Sequence, residues 1–416
     1  MGEPMSQPQP HAMWTDADEA AARAVQLPGA RTLLDSAELS AVLGQQATIS
    51  RVRIKPGHSV VAAFTTAESE SGWAMLTLDP DKLGKARHRA QDDAGAAREG
   101  LPFLVHAQHQ PYLFSGSLWS DPVLAKDLQG ARRALNQESC GNHGPGEKRE
   151  PGTIQPWKIL RHNPRRRVVA VVPPAGGRGE KVLRVASRGT TGTALATARR
   201  WRDLGLPLVN STPVGSRGTA LWAPLWGWAD LSSQPYGPAT VSAGEALGTL
   251  HRLTLVSRRT PLPTDTVTAA ASIALIAPWL GPQAHALAER IQDRFSDMGP
   301  SLTAELHGDL SPDQVVLAAP GSHKIRLIDF DRATTGDPMR DLGSWAAACR
   351  RLHRNILIED FQTGYLSRRA ADPARAAVWE AYAQLHAAPD PFRVRDPRWP
   401  DLIQRTLTLG EEALDR

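Results

Sequence analysis

The hydrophobic pattern of this chain changes period once, near residue 187, and that change restricts it to folds in which a sheet-rich part precedes a helix-rich part. Upstream, Ile49–Phe64 (ISRVRIKPGHSVVAAF) reads as two strands around a Lys-Pro-Gly turn, because β-branched residues flank turn formers. Trp73–Leu78 continues as a third strand, and Leu83–Arg98 as a basic helix or loop. Trp157–Val185 repeats the strand–turn–strand–turn–strand pattern. Only Asp16–Val25 and Arg31–Leu43 read as helices in this half, the first within a mobile lead-in over 1–26. Downstream, Thr190–Leu204 and Ala243–Leu255 carry apolar residues every three or four positions. Ala269–Asp297 holds two more helices, short strands surround 314–331, and the remainder reads as helix. The expectation is an α+β protein of two lobes with a cleft between them.

Residues 136–155 (NQESCGNHGPGEKREPGTIQ) are almost free of apolar side chains and read as a linker. They divide an N-terminal module (1–135) from a β-rich lobe with hinge (156–230) and a helical lobe (231–416). The two strand–turn–strand segments echo each other at an offset of 108 residues: Arg53 matches Arg161, Pro56 matches Pro164, and Val60-Val61-Ala62 match Val168-Val169-Ala170. A duplicated hairpin and a chance likeness both fit this echo. With 416 residues the chain has no need of staples, and Cys140 and Cys349 are too few for a disulfide framework or a cysteine-rich zinc site. No run of about 18 apolar residues occurs and the first residues lack a charged-then-apolar leader, so the expectation is a cytoplasmic protein that does not contact a membrane. The net charge of +5 hints at anionic ligands, but no single element concentrates it as a nucleic-acid binder would. Residues 301–416 hold 15 basic and 17 acidic side chains, which places the basic excess upstream.

The residues that carry chemistry lie in that acidic part. Leu306-His307-Gly308-Asp309-Leu310-Ser311-Pro312-Asp313-Gln314 describes a tight loop with one carboxylate, leading to a strand that bears an amide. Leu327-Ile328-Asp329-Phe330-Asp331 ends the next strand on further carboxylates, and Gly336-Asp337-Pro338 and Asp341-Leu342-Gly343 follow. Such an order sets Asp309 beside an acceptor hydroxyl while Gln314 and Asp329 present oxygens to a hard cation. Phosphoryl transfer uses those parts: a cation to offset phosphate charge, and a carboxylate to orient the hydroxyl and accept its proton.

This ordered set resembles the aminoglycoside/choline phosphotransferase family, in its actinobacterial form, whose fold is a variant of the protein-kinase fold. The helix pattern LGTLHRL at 247–253 and the tail PFRVRDPRWPDLIQR are also similar to it. The likeness runs from about Trp157 to the end and is weaker upstream. It implies a bilobal kinase-like fold with a β-rich N-lobe, a helical C-lobe and an extra N-terminal α/β module. It further implies ATP and Mg²⁺ as cofactors, Asp309 as catalytic base, Asp329 as the principal Mg²⁺ ligand, Gln314 where the family usually has Asn, and Asp331 as a second ligand. His307 reads as a brace of the loop placed next to the nucleotide.

The first lobe departs from that pattern. Where such enzymes hold the α- and β-phosphates with a Lys on the third strand, alternation in Lys181-Val182-Leu183-Arg184-Val185 leaves Arg184, whose planar fork is no simple replacement. Residues 190–202 contain no acidic partner for it. Gly176-Gly177-Arg178-Gly179 imitates a phosphate loop but sits in the second turn, where it reads as a hairpin turn. In the first turn, Arg165, Arg166 and Arg167 are either a solvated edge or phosphate contacts, and the site set includes Arg165 and Arg166. Trp222, Trp226 and Trp228 mark the hinge and read either as core packing between the lobes or, with Trp226 the candidate, as an adenine wall; Asp337 and Asp341 read as helix caps. The remaining histidines show no zinc-ligand spacing.

The function expected is an ATP- and Mg²⁺-dependent phosphotransferase that moves the γ-phosphoryl group to a hydroxyl. The acceptor is an aminoglycoside- or sugar-like small molecule, or a peptide Ser or Thr. In the peptide case the chain resembles the kinase subunit of a lanthipeptide- or thioamitide-type complex with a partner lyase. The alternative from a different class is a pseudokinase scaffold, argued from the missing Lys and Glu of the first lobe.

Overall fold

The computed structural model describes residues 14–85, 88, 112–140, 157–173, 179–187, 191–215 and 217–416. The N-terminal module opens with helix α1 (Asp16–Ala24), started by a capping box in which Thr15 and Asp18 bond each other's backbone N–H groups. A single helix over 31–43 does not form. A 3₁₀ turn (Ala30–Leu33) is followed by an extended Asp35, whose carboxylate accepts the Ala37 N–H at 2.8 Å and starts α2 (Ser36–Leu43) afresh. Strands β1 (Ala47–Lys55), β2 (Ser59–Thr66), β3 (Ser71–Thr77) and β4 (Leu113–Ser117) then make an antiparallel sheet in that order. Most of the expected helix or loop over 83–98 lies outside the described residues. Helix α3 (Ala125–Cys140) closes the module and runs five residues beyond the expected start of the linker, the rest of which is not described.

The second sheet has the order β5-β6-β7-β9-β8, all antiparallel, from β5 (Lys158–Asn163), β6 (Arg167–Val172), β7 (Lys181–Ala186), β8 (Thr212–Val214) and β9 (Ala220–Pro224). Helix α4 (Thr191–Asp203) intervenes after β7. The echo at 108 residues holds at the level of register near the turns: Arg53 pairs Val61 and Lys55 pairs Ser59, just as Arg161 pairs Val169 and Asn163 pairs Arg167. Residues 174–178, which include most of the glycine cluster, lie outside the described set.

The two faces of this second sheet have different fates because side chains alternate along each strand. Val168, Val172, Leu183 and Val185 point outward, where Leu124, just before α3, and Leu128, Ala131 and Leu135 of α3 cover them. Those four recur at four, three and four positions, one stripe of a helix, and each fully buried leucine contributes roughly 1.5–3 kcal/mol. Val169, Val182 and Arg184 point the other way, toward the cleft.

The helical lobe begins at β10 (Ala229–Asp230), which pairs with β13 (Val315–Leu317) and so already belongs to it. Helix α5 (Gly237–Leu253) starts six residues before the expected Ala243. It is followed by β11 (Val256–Arg259), α6 (Thr266–Ile276), α7 (Gly281–Met298) and β12 (Leu302–Leu306). Beyond β13 come β14 (Ile325–Leu327), β15 (Thr334–Gly336), α8 (Met339–Arg351), α9 (Ile356–Leu366), α10 (Pro373–Ala387), α11 (Asp390–Arg393) and α12 (Trp399–Asp415). One buried core runs from α1 and the inner face of the first sheet (Ile49, Val52, Val60) into this lobe (Ile273, Leu287, Trp345, Leu407). Among the described residues no helix is long and apolar enough to cross a membrane.

Candidate active site

The cleft between the second sheet and the helical lobe encloses about 440 Å³. Its roof is Leu160, Val169 and Val182, and its floor is Val316 and Ile328. Its back is the hinge, Trp226-Gly227-Trp228. Gly227 has φ +84, and a Cβ there would lie 2.6 Å from the Leu317 carbonyl oxygen, so the hinge backbone rests directly on β13. Trp228 N–H donates to that same carbonyl at 3.1 Å. Trp226 also carries the Arg326 guanidinium 4.9 Å from its ring centre, whereas Trp222 faces outward under Lys181.

The loop after β12 is built on one buried carboxylate. Asp341, in the first turn of α8, accepts the backbone N–H groups of His307 and Gly308 at 2.8 Å each and faces His251 Nε2 at 3.2 Å. Burial pushes its carboxyl up, but the hydrogen bonds from His251 and Gly308 and the nearby imidazoles outweigh that and hold it below the usual aspartate value. Asp341 is therefore no helix cap; Asp337 alone plays that part, accepting the Met339 N–H at 3.0 Å. Gly308 has φ +83, and a Cβ there would come within 2.1 Å of the Arg332 carbonyl oxygen. His307 is fully buried, with Nε2–H donating to the Ile328 carbonyl at 3.0 Å and its ring edge-on to Phe330. It braces the Asp309 loop against the Asp329 strand and is not part of the cleft lining.

The loop delivers Asp309 to the open side with its side chain 47% exposed and Arg332 Nη1 at 3.3 Å. Desolvation by the surrounding walls raises the Asp309 carboxyl above its ordinary value, against the pull of Arg332 and His307. Gln314 lies beneath, paired through the Ile328 N–H to its carbonyl (3.1 Å), with its buried side-chain oxygen unpartnered among the described residues. Asp329 occupies the left-handed region (φ +64), a conformation that turns the chain out of β14 and exposes its carboxylate to the cleft.

Both carboxylates of this turn are held by arginines. Arg167 Nη1 reaches Asp329 Oδ1 at 3.0 Å and Asp331 Oδ2 at 2.7 Å. Arg184 lies 3.5 Å from Asp329 Oδ1 and also bonds Asp331 Oδ2. Burial, with Arg167 and Arg161 nearby, lowers the Arg184 guanidinium to about 10 in spite of Asp329. Its acidic partners thus come from the far lobe and not from α4.

The structure brings Asp309, Asp329, Asp331, Gln314, Arg184 and Trp226 to one cleft and its rim. It does not bring Arg165 or Arg166. Arg165 turns to the first sheet, its N–H on Asp121 Oδ2 (2.7 Å) and its guanidinium on Met75 Sδ (3.7 Å), while Arg166 is exposed. The cleft arginine of that run is Arg167, which sequence reasoning left out of the site. Strand alternation carried the signal: Arg167 and Val169 share the face of Arg184, since Val169 pairs Arg184 across the sheet.

Known proteins match this chain in part of its sequence and in its fold. Residues 216–385 match a family model described as "Phosphotransferase enzyme family". No curated protein matches the chain. A solved spectinomycin phosphotransferase, in complex with ADP and spectinomycin, superimposes with a TM-score of 0.51 at 10% identity, covering 62% of this chain and 93% of that one. A choline kinase from Streptococcus pneumoniae gives 0.47 at 14% identity over 62% and 94%. An amicoumacin kinase, in complex with AMP-PNP, Ca²⁺ and Ami, gives 0.45 at 12% over 70% and 96%.

Proposed function

We propose that this chain, a phosphotransferase of kinase-like fold by its match over residues 216–385, transfers the γ-phosphoryl group of ATP to a hydroxyl in the cleft just described. The observation that carries this reading is the convergence of a half-exposed Asp309 with Asp329, Asp331 and an unpartnered buried Gln314 oxygen. The adenine lies between Val169 and Val182 above and Val316 and Ile328 below, against Trp226. Asp309 accepts a hydrogen bond from the acceptor hydroxyl and takes its proton as the new P–O bond forms.

The donor set suits a hard divalent cation. Gln314 Oε1 and Asp331 Oδ1 are buried oxygens that lack a hydrogen-bond partner among the described residues, and Asp329 stands beside them. Gln314, Asp329 and Asp331 would hold the cation, and since no three His, Cys, Asp or Glu side chains cluster among the described residues, they would do so together with the nucleotide phosphates. When bound, Mg²⁺ supplies charge neutralisation for the transferring phosphoryl group. Arg167 and Arg184 exchange partners as nucleotide enters, leaving Asp329 and Asp331 for the phosphates.

A second reading, a nucleotide-binding scaffold without transfer, is favoured by those same arginine pairs, which neutralise both acidic groups. The test uses AMP-PNP binding with Mg²⁺ alongside slow ATP hydrolysis by water. Asp309→Asn is expected to lower hydrolysis by about 10²–10⁴-fold with AMP-PNP affinity within about twofold of the parent. Parent-level hydrolysis in that variant removes Asp309 from the base role, and nucleotide binding without any hydrolysis in the parent selects the scaffold.

A further inference from the structure

The first sheet contributes charge to the mouth of the cleft. On β1, Ile49 and Val52 point into the shared core, so Arg51 and Arg53 point to the opposite face. Cross-strand register lines up Arg53 with Val61, Met75 and Phe114 in one row on that face. The turn between β5 and β6 docks on the same row, Arg165 over Met75 and anchored to Asp121. Arg166 at the tip of that turn and Arg161, Arg53's counterpart at 108 residues, therefore stand opposite Arg51 and Arg53. Helix α11 packs against β1 and supplies the third side, and the Arg351 guanidinium lies in the field of both Asp390 of that helix and Asp309.

Arg161 pairs Val169 and so lies on the cleft side of the second sheet with Arg167 and Arg184, which sets the cluster of Arg51, Arg53, Arg161 and Arg166 next to the open edge of the cleft. Among the described residues no carboxylate forms an ion pair with Arg51, Arg53, Arg161 or Arg166. Burial, Arg166 and Arg165 lower the Arg53 guanidinium to about 10 against the pull of Asp121, and burial with Arg161 lowers that of Arg51 against the pull of Asp390. Like charges gathered on half-buried walls oppose folding of the free protein, and an anion seated between them removes that opposition. The nucleotide phosphates are provided for by Arg167 and Arg184 inside the cleft, so this second set, half of it from another sheet, serves a different anion.

We propose that this arginine cluster binds an anionic group of the phosphoryl acceptor, which makes the acceptor a hydroxyl compound bearing carboxylate or phosphate and not a polycationic amine. This rests on the kinase reading above. Arg51 and Arg53 bind and orient; they take no part in the transfer itself.

The experiment titrates the full chain, saturated with AMP-PNP and Mg²⁺, with three probes by calorimetry: 3-phosphoglycerate, the peptide Glu-Glu-Ser-Glu-Ser-Glu-Glu, and kanamycin. One of the two anionic probes is expected to bind the parent at least about tenfold tighter than the Arg51→Gln/Arg53→Gln variant, and which one distinguishes a small acid from an acidic peptide. The variant's melting temperature is expected to match or exceed the parent's, which shows it folded. Equal binding of both anionic probes to parent and variant, absence of binding to the parent, or kanamycin binding that needs Arg51 and Arg53 overturns the proposal. Repeating the titration without nucleotide keeps this outcome separate from the kinase reading, which fails on its own if Arg184→Ala leaves AMP-PNP affinity unchanged.

Discussion

At the scale of single residues, the site is governed by which carboxylates the fold raises and which it lowers. Asp309 is raised, so its ionised form is disfavoured in the folded chain and subtracts from stability at pH values above its folded pKa. Asp309→Asn is accordingly expected to melt no lower than the parent at pH 7 while losing transfer, and the acid limb of the parent's pH–rate profile is expected above the ordinary 3.8. An acid limb at or below that value would mean the carboxyl is freely hydrated. Removal of either cleft arginine, Arg167→Ala or Arg184→Ala, is expected to weaken AMP-PNP binding by about 10- to 100-fold, as loss of a charge-assisted contact does, measured by thermal shift against nucleotide concentration. Cys349 is buried and its thiol is pushed up to about 12, so it should resist thiol reagents until the helical lobe unfolds. Asp309, Asp329 and Gln314 were legible in the sequence because loop and strand spacing places them. Arg167 was legible only through the face it shares with Val169, and the choice between neighbouring turn arginines depends on where a sheet 90 residues upstream docks.

At the scale of elements, the Asp309 loop is held by α8 through the Asp341 carboxylate. Asp341→Asn leaves His251 and two backbone N–H groups short of a charge and is expected to cost about 3–5 kcal/mol, read by chemical denaturation. The sign with pH is fixed by the lowered Asp341 carboxyl: its contribution is present above the unfolded value of 3.8 and is lost as pH falls through the folded one. The parent should therefore lose stability below about pH 4 more steeply than the Asn variant. Gly308→Ala needs Arg332 and the following turn to move, so transfer should be lost together with a drop in melting temperature. Sequence pattern located α8 but read Asp341 as a cap, because a buried carboxylate one turn into a helix looks the same as a surface one until its partners, 34 and 90 residues away, are known. The missed helix α3 shows the opposite case: its stripe at 124, 128, 131 and 135 was present, but its polar C-terminal end reads as linker.

At the scale of the whole molecule, the two lobes were predictable from the change of hydrophobic period, whereas the way residues 14–140 attach to them was not. The module is fastened to both lobes. On one side α3 covers the outer face of the second sheet. On the other, Asp18 accepts from Arg395 Nη2 at 2.7 Å and from Trp399 Nε1 at 2.9 Å, joining α1 to the start of α12. Asp18→Ala is expected to destabilise the protein by about 2–4 kcal/mol, as removal of one partner from a buried charged pair does. It should also speed hydrogen exchange in α1 and β1 ahead of α8. Uniform exchange across all three would show that the module has no separate docking equilibrium.

Those two fastenings change the mechanics of the cleft. Lobes joined by a hinge alone swing as a pair of rigid bodies about residues 225–228, and the pace of that swing belongs to the hinge. Here a third body spans both, so the assembly is a closed linkage in which no joint moves unless another yields. Sliding at the α3 seam, bending of the first sheet or release of Asp18 must accompany every opening. Opening of the cleft should therefore be slowed by contacts that lie nearly three hundred positions upstream of Asp309.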